Sequence, residues 1–252
     1  MQLPRSAVLG ALLVLDEATS TNDELANRLL NAPEFTVVLT TNQTSGRGRL
    51  GRPWVAEPGD GVAMSVLLRP AFAADRWGWV PLAAGVAMAQ SVRTILPTAD
   101  VGLKWPNDVQ VHGLKVSGIL TEVADGGTAI IVGVGANLET PSDRLPTPTA
   151  TSLALEGSRL RGPELVDAVV SGWLESFRAL YGELQAGTSI RSEVVAECST
   201  IGRRVRVDLP GAEARVGTAT GLDDSGRLLV SSGADSPSLA VAAGDVTHLR
   251  YE

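Results

Sequence analysis

The chain has 252 residues, enough for one large domain and a second small one. Hydrophobic residues make up 44% of it and charged residues 19%, a balance typical of a globular protein rather than a disordered one. The formal net charge of -7 excludes nucleic-acid binding by bulk attraction, and no apolar run approaches the roughly 20 residues that a membrane-spanning helix needs. The single cysteine, Cys198, cannot form an intramolecular disulfide, so we expect a reducing compartment, the cytoplasm.

Short apolar runs rich in β-branched residues predict strands in the first part of the chain. In chain order these runs are residues 12–15, 36–40, 62–68, 101–105, 116–123 and 129–134. The first run lies in an apolar N-terminal stretch similar to the core of a signal peptide. However, Asp16 and Glu17 stand where small cleavage-site residues would be expected, so the stretch is interpreted as a buried first strand.

Three segments have helical patterns. Ser20 followed by Asp23 is typical of a helix start, and the leucine stripe after it runs to Leu30. Residues 79–96 form an alanine-rich segment that ends before a proline, and residues 166–184 carry apolar side chains at three- and four-residue intervals. The last segment is therefore predicted to be one long amphipathic helix.

After Cys198 the pattern changes to short strands separated by tight turns. The predicted strands are residues 204–209, 217–221, 227–231 and 240–242, with Asp224-Ser225-Gly226 as a hairpin signal. About 50 residues of this kind predict a small β-barrel attached to an α+β domain. We place the boundary so that the domains are residues 1–199 and 200–252.

The most informative segment is residues 41–54, which read TNQTSGRGRLGRPW after a strand. Its glycines let the backbone approach a ligand closely, and Arg47, Arg49 and Arg52 supply donors that suit phosphate or carboxylate. Trp54 offers a flat ring for stacking. The pattern is neither a P-loop nor a dinucleotide-binding fingerprint, and a short loop of this kind, taken alone, is more often a solvated basic turn.

Three further motifs lie at strand ends: KWPND at residues 104–108, KVSGILTE at residues 115–122 and GVGAN at residues 133–137. Pro106 ends a strand and exposes Asn107 and Asp108, while Gly118 leaves space against the strand that Lys115 begins. Each motif alone is compatible with an ordinary turn or an edge lysine. Their occurrence together, in one order, is what favours a shared site.

With Ser20-Thr21-Asn22, these motifs closely resemble those of the biotin protein ligases, and the resemblance covers nearly the whole chain. It implies an α+β fold: a class II synthetase-like catalytic domain of the biotin–lipoate ligase type with a mixed β-sheet, followed by a small SH3-like β-barrel. It also implies an enzyme that activates biotin with ATP as biotinyl-5'-AMP plus pyrophosphate. The enzyme then transfers biotin to a lysine on the carrier domain of a biotin-dependent carboxylase.

The resemblance also assigns roles to residues. It implies biotin binding by Ser20, Thr21, Asn22, Gln43, Arg47, Gly48, Arg49 and Lys115. It implies ATP binding by Arg52, Trp54, Lys104, Asn107 and Asn137. The catalytic residues would be Lys115, Arg47, Arg49 and Asp108. Lys115 would lie between the biotin carboxylate and the α-phosphate, and, as a hypothesis, Asp108 would orient the incoming lysine.

The expected substrates are ATP and biotin, with Mg2+ arriving on ATP, and the expected partner is a biotin carboxyl carrier domain. No metal ligands are assigned. Some family members carry an N-terminal helix-turn-helix, but only 19 residues precede Ser20, so no repressor role and no nucleic-acid partner are expected.

Two other functions stay open at this stage. A related ligase acting on lipoate would need a hydrophobic slot without partners for a urea ring, and Gln43 with Ser20-Thr21-Asn22 argues against it. A nucleic-acid module built on the basic loop and the C-terminal barrel is the other possibility. Against it, Arg203 and Arg206 are offset by acids such as Asp208, and no basic, aromatic platform stands out.

Overall fold

The computed structural model describes residues 1–208, 213–233, 238–242 and 245–248. The strands of the larger N-terminal part are β1 (Leu12–Val14), β2 (Val37–Thr40), β3 (Gly46–Arg47), β4 (Pro53–Trp54), β5 (Gly61–Leu68), β6 (Val101–Lys104), β7 (Asp108–Val111), β8 (Leu114–Ala124) and β9 (Ala129–Asn137). The helices are α1 (Pro4–Ala7), α2 (Thr21–Ala26), α3 (Trp79–Ile95), α4 (Gly162–Gln185) and α5 (Arg191–Glu197). Seven strands form one mixed sheet in the order β1-β2-β5-β9-β8-β7-β6. β1 and β2 are parallel, and the other neighbours are antiparallel.

The two faces of this sheet have different coverings, because successive side chains of a strand point to opposite sides. On β9, Ile130 and Val132 belong to the main core, which α3 and α4 cover. Ile131, on the other face, packs with Leu25 of α2 in a second, five-residue core. α2 covers only part of that second face, and the remainder forms the floor of a cleft.

α4 closes the main core through a stack of aromatic rings. Trp173 and Phe177 lie 4.9 Å apart between ring centroids at an interplanar angle of 13°. The indole N–H of Trp173 donates to the Ala84 carbonyl of α3 at 3.0 Å, so the buried polar atom is satisfied. The predicted long amphipathic helix is confirmed, although it begins four residues earlier than the apolar pattern does.

The C-terminal part is a five-stranded antiparallel sheet. Its strands are β10 (Arg204–Asp208), β11 (Arg215–Leu222), β12 (Leu228–Ser231), β13 (Leu239–Val241) and β14 (Asp245–His248), in the order β13-β12-β11-β10-β14. This arrangement fits the expected SH3-like domain, while closure into a barrel and the boundary at residue 199 stay predictions. The predicted strand at residues 204–209 is present as β10, except that its last residue lies outside the described residues.

The hairpin turn between β11 and β12 packs on the larger part. The indole N–H of Trp79, at the start of α3, donates to the Asp224 carbonyl at 2.7 Å. The indole N–H of Trp105 donates to the Gly226 carbonyl at 3.2 Å. Gly226 has a φ of +79°, a left-handed conformation that the turn requires and that glycine adopts without strain. Two tryptophans of the larger part are therefore hydrogen-bonded to one turn of the smaller part.

Two predictions about the N-terminal region are wrong in detail. β1 is an edge strand rather than a buried one, since Leu13 is 37% exposed. α2 ends at Ala26, and Leu30 is 92% exposed, so the predicted leucine stripe does not continue along one helix. The reason is spatial: the second core is small, and Leu25 of α2 together with Leu29, beyond the end of the helix, packs there, so Leu30 stays in solvent. In the part of the chain that the structure describes, no helix is long and apolar enough to span a bilayer.

A matched pair of Leu→Ala variants tests this division between core and surface. Leu39→Ala, in the fully buried centre of β2, should lower the free energy of unfolding by about 2–5 kcal/mol because it leaves a cavity. Leu30→Ala should change it by less than about 0.5 kcal/mol. Denaturant unfolding measures both, and equal effects of the two changes would contradict the described burial.

Candidate functional site

A cleft of about 320 Å³ opens on the sheet face that α2 leaves uncovered. One wall is the β3–β4 hairpin, and the opposite wall is the segment of residues 146–150. Thirteen of the fourteen predicted site residues line it: Ser20, Thr21, Asn22, Gln43, Arg47, Gly48, Arg49, Arg52, Trp54, Asn107, Asp108, Lys115 and Asn137. Motifs that are up to 117 positions apart in the sequence, from Ser20 to Asn137, thus meet in one place.

One end of the cleft consists of neutral polar groups. Ser20 is the N-cap of α2, and its hydroxyl accepts from the Asp23 N–H at 3.4 Å, which sets Thr21 and Asn22 on the first turn. Thr21 donates its backbone N–H to Gln43 Oε1 at 2.9 Å and its hydroxyl to the same oxygen at 3.3 Å. These bonds use the oxygen of the Gln43 amide and so fix the orientation of that amide.

Two residues that the sequence reasoning did not select hold Asn22 in place. Ser65 of β5, fully buried, lies within hydrogen-bond distance of both helix residues: its Oγ is 2.6 Å from Asn22 Oδ1 and 2.7 Å from Thr21 Oγ1. Asn22 Nδ2 donates to the carboxylate of Glu122 on β8. A polar residue inside the apolar β5 run was a signal for Ser65, whereas the pairing of Glu122 with Asn22 has no signature in the sequence.

The arginine segment is a two-stranded hairpin rather than a loop. Gly46 of β3 pairs with Trp54 of β4, and the Gly48 N–H donates to the Arg52 carbonyl at 2.7 Å. At its tip Leu50 has a φ of +58°, and its side chain is exposed. The sequence reasoning missed the hairpin because two-residue strands have no detectable periodicity.

Arg47 projects from the hairpin towards α2. Its guanidinium makes two bonds to the Asp23 carboxylate, at 2.5 and 2.7 Å, and lies 3.9 Å from Glu122. Hydrogen bonding to Asp23 raises the pKa of Arg47, and the same bonds hold the pKa of Asp23 below its usual value. Both side chains are close to half exposed, so solvent screening limits this pair to about 1 kcal/mol or less of stability.

The Trp54 ring lies against the floor of the cleft, where two strands lack side chains. A Cβ on Gly135 of β9 would overlap the ring, and a Cβ on Gly118 of β8 would come within 3.2 Å of it. Lys115 Nζ is 5.6 Å from the ring centroid, within the range of a cation–π contact. The ring is therefore a flat platform with a cation beside it.

The other end of the cleft carries charge. Lys115 Nζ is 2.6 Å from Asp108 Oδ1, and Arg49 donates to Asn107 Oδ1 at 3.0 Å. Asn107 is fixed on its other side, because its Nδ2 donates to the Ile119 carbonyl at 2.9 Å. Lysine, arginine, amide and carboxylate thus stand together beside the Trp54 platform.

The wall at residues 146–150 was not predicted. It runs beside the start of β8, and the Lys115 N–H donates to the Thr149 carbonyl while the Thr151 N–H donates to the Lys115 carbonyl, both at 2.8 Å. These bonds fix the backbone of Lys115 on both sides. Its sequence contains Pro146 and Pro148, and nothing in it points to a contact with Lys115.

Lys104 is the predicted site residue that the structure does not place along the cleft. Its Cα lies opposite that of Asp108 in the β6–β7 pair, but its charge acts on the C-terminal domain. Burial, together with the positive charges of Lys104 and Arg203, lowers the pKa of His248 to about 4. A role of Lys104 in ATP binding stays a prediction.

Comparison with known proteins agrees with this arrangement. Residues 13–138 match the model of the biotin/lipoate A/B protein ligase family, and residues 200–249 match the biotin protein ligase C-terminal domain. The biotin--[acetyl-CoA-carboxylase] ligase of Mycobacterium tuberculosis is 37% identical over 243 residues, which is 94% of this chain and 88% of that protein. The chain is a member of this ligase family.

Other relatives of the ligase extend the comparison. The bifunctional ligase/repressor BirA of Bacillus spizizenii is 32% identical over 90% of this chain and 72% of its own length. The solved biotin protein ligase from Aquifex aeolicus in complex with biotin and ATP superimposes with a TM-score of 0.78 at 26% identity. That match covers 95% of this chain and 99% of the other. The expected catalytic fold of the ligase is thereby confirmed, and its C-terminal antiparallel sheet is consistent with the expected SH3-like domain.

The contact of Trp54 with Gly135 predicts the effect of a single methyl group. Gly135→Ala should displace the ring, because the new Cβ occupies its position, and should shift the Trp54 indole N–H resonance in a ¹⁵N correlation spectrum. Gly182→Ala on α4 is the matched control, since nothing lies within 4 Å of the position that its new Cβ would take. An unmoved Trp54 signal in Gly135→Ala would refute the described packing.

Proposed function

We propose that this ligase joins biotin to a lysine of a biotin carboxyl carrier domain in two steps within the cleft. First, a carboxylate oxygen of biotin attacks the α-phosphorus of ATP, and pyrophosphate leaves. Second, the lysine amine attacks the acyl carbon of biotinyl-5'-AMP, AMP leaves, and the amine loses a proton. The observation that carries this proposal is that one cleft holds neutral polar side chains, a flat ring and several cations together.

The neutral end suits the urea ring of biotin. A cyclic urea is uncharged and presents two N–H donors and one carbonyl acceptor, so its recognition needs amides and hydroxyls rather than ions. We assign this recognition to Ser20, Thr21, Asn22 and Gln43. The bond between Thr21 and Gln43 and the bond from Ser65 to Asn22 support the assignment, because groups held in one orientation lose little entropy when a ligand binds.

The charged end suits the meeting of two anions. A biotin carboxylate and an α-phosphate repel each other, and negative charge grows on the phosphoryl oxygens in the transition state. We assign the stabilisation of that charge to Lys115, Arg47 and Arg49, with Gly48 giving the backbone access to the ligand. The bonds that hold Lys115 and Arg49 support this, since donors already in position need no reorganisation during the reaction.

The platform and its surroundings suit an adenine nucleotide. Aromatic rings stack on bases at about 1–3 kcal/mol per base, and Trp54 is the flat ring of the cleft. We assign adenine stacking to Trp54, recognition of its edge to Asn137, and further ATP contacts to Arg52 and Asn107. Asn137 Nδ2 already donates to the Thr151 carbonyl at 3.0 Å, which leaves its oxygen to accept.

Mg2+ is proposed to enter with ATP. Among the described residues, no group of three or more histidine, cysteine, aspartate or glutamate side chains is arranged to hold a metal ion. Asp108 is the carboxylate among the residues that line the cleft. Mg2+ commonly binds through one or two carboxylates together with substrate phosphates, so this composition fits an ion carried by the nucleotide.

The carrier is proposed to belong to an acyl-CoA carboxylase, and biotin is proposed over lipoate. The dithiolane ring of lipoate has no N–H or carbonyl group, so the buried polar side chains of the neutral end would lose their partners on binding it. Unpaired buried polar groups are costly, and sites built to bind a polar ligand reject analogues that lack its polar groups.

Biotin-dependent release of pyrophosphate from ATP, followed by addition of a carrier domain, tests the function directly. Release that requires biotin, with biotin then attached to one carrier lysine, supports the ligase. Release of pyrophosphate with lipoate or octanoate but not with biotin would reassign the substrate. No release with any of these three acids would refute the activity.

Lys115→Ala should reduce adenylation about a hundredfold or more, because losing one such donor costs about 2.7–4 kcal/mol of transition-state stabilisation. Biotin-dependent pyrophosphate release measures it. Arg178→Ala also removes one positive charge but lies on α4 against Phe35, away from the cleft, and serves as control. Undiminished adenylation by Lys115→Ala would rule out its catalytic assignment.

Asp108→Asn should slow transfer from purified biotinyl-5'-AMP to the carrier by about a hundredfold, the lower range for a lost proton acceptor. A free lysine has a pKa of about 10.4 and arrives mostly protonated, so a carboxylate is needed to orient it and take its proton. Asp125→Asn, in the turn between β8 and β9, makes the same chemical change away from the cleft. Transfer at the unmodified rate would remove Asp108 from this role.

A further inference from the structure

The turn that carries Asn107 and Asp108 into the cleft is held from behind by the C-terminal domain. Trp105, which precedes this turn, is 2% exposed, and its indole N–H bonds to Gly226 in the β11–β12 turn. Its backbone N–H donates to Thr200 Oγ1 at 3.0 Å. The two hydrogen bonds fix both the side chain and the main chain of Trp105, the residue that follows β6.

Thr200 connects this turn to the end of β14. Its side chain is fully buried, and its Oγ1 lies 3.0 Å from His248 Nε2. Burial and the nearby positive charges lower the pKa of His248 to about 4, so the imidazole is neutral at pH 7 and has one nitrogen free to accept. The hydroxyl is thus able to donate to His248 while it accepts from Trp105.

The neutral end of the cleft has a different support. Ser20 accepts from the Asp23 N–H, Thr21 donates to Gln43, and Asn22 bonds to Ser65 and Glu122, all between residues 20 and 122. The link from Thr200 reaches Asn107 and Asp108 instead, since these follow Trp105 by two and three residues. The two ends of the cleft are therefore held by separate sets of hydrogen bonds.

We infer that Thr200 is a positioning residue: through the Trp105 amide it sets the turn that presents Asn107 and Asp108. The side chains assigned to biotin have their own hydrogen bonds and do not depend on this contact. This inference rests on the proposed function of the cleft and deepens it. Thr200 touches no substrate, and its effect is carried by the backbone of Trp105.

Thr200→Val removes the hydroxyl at nearly constant volume, and Thr200→Ser, the matched control, keeps it. We expect Thr200→Val to lower kcat/KM for ATP about tenfold, the size expected when a buried donor loses its partner. The biotin dissociation constant, measured by calorimetry without ATP, should not change. Thr200→Ser should keep most of the kcat/KM for ATP of the unaltered protein. Hydrogen exchange of the peptide covering residues 103–108 should be faster in Thr200→Val, and this readout does not need activity.

An unchanged kcat/KM for ATP, or an equal loss in biotin and ATP binding, would overturn the inference. If Thr200→Val does not fold, Thr200→Ala provides the same comparison, because it also removes the hydroxyl that accepts from the Trp105 N–H. Failure of the unaltered protein to release pyrophosphate with biotin would refute the proposed function, while the exchange measurement would still decide whether Thr200 holds the turn.

Discussion

The cleft depends on the close approach of side chains to bare backbone on β8 and β9. Trp54 lies over Gly118 and Gly135, and Asn22 lies over Gly133, where an added Cβ would overlap its amide. Glycine inside a strand costs about 0.5–1 kcal/mol relative to alanine, so three such positions weaken the sheet locally. The apolar residues on the opposite face of the same strands, packed under α3 and α4, offset this loss. The well-packed core on one face of the sheet thus permits glycines, without side chains, on the face that lines the cleft.

Charged side chains are distributed unevenly over the protein. The chain as a whole is acidic, yet Arg47, Arg49, Arg52 and Lys115 all line one cleft. Of these, Arg47 and Lys115 are paired with Asp23 and Asp108, and Arg49 is bonded to Asn107. Such pairing contributes little to stability near the surface, but it keeps the cations in place and prevents them from binding anions indiscriminately.

The sequence predicted the strands and helices that have strong periodicity, and it predicted most of the residues that line the cleft. Strands such as β2 and β9 have runs of apolar residues that solvent exclusion explains, and motifs lie at their ends. The β3–β4 hairpin and the exposed edge of β1 were not predictable, because local patterns do not specify tertiary neighbours. The position of Lys104 outside the cleft and the hydrogen bonds of Asn22 to Ser65 and Glu122 were not predictable either, because they depend on strand register. The position of the 146–150 segment depends on hydrogen bonds to Lys115 that no motif encodes.

The ion pair between Lys115 and Asp108 also bears on what the ligase does to itself. An acyl-adenylate reacts with any accessible neutral amine, and the chain has only two lysines, Lys104 and Lys115. Lys115, which lines the cleft, is ion-paired with the Asp108 carboxylate at 2.6 Å, and this contact restrains its nitrogen from attacking an acyl group. The chain therefore presents almost no internal target to its own activated intermediate, and the acyl group is preserved for the lysine of another protein.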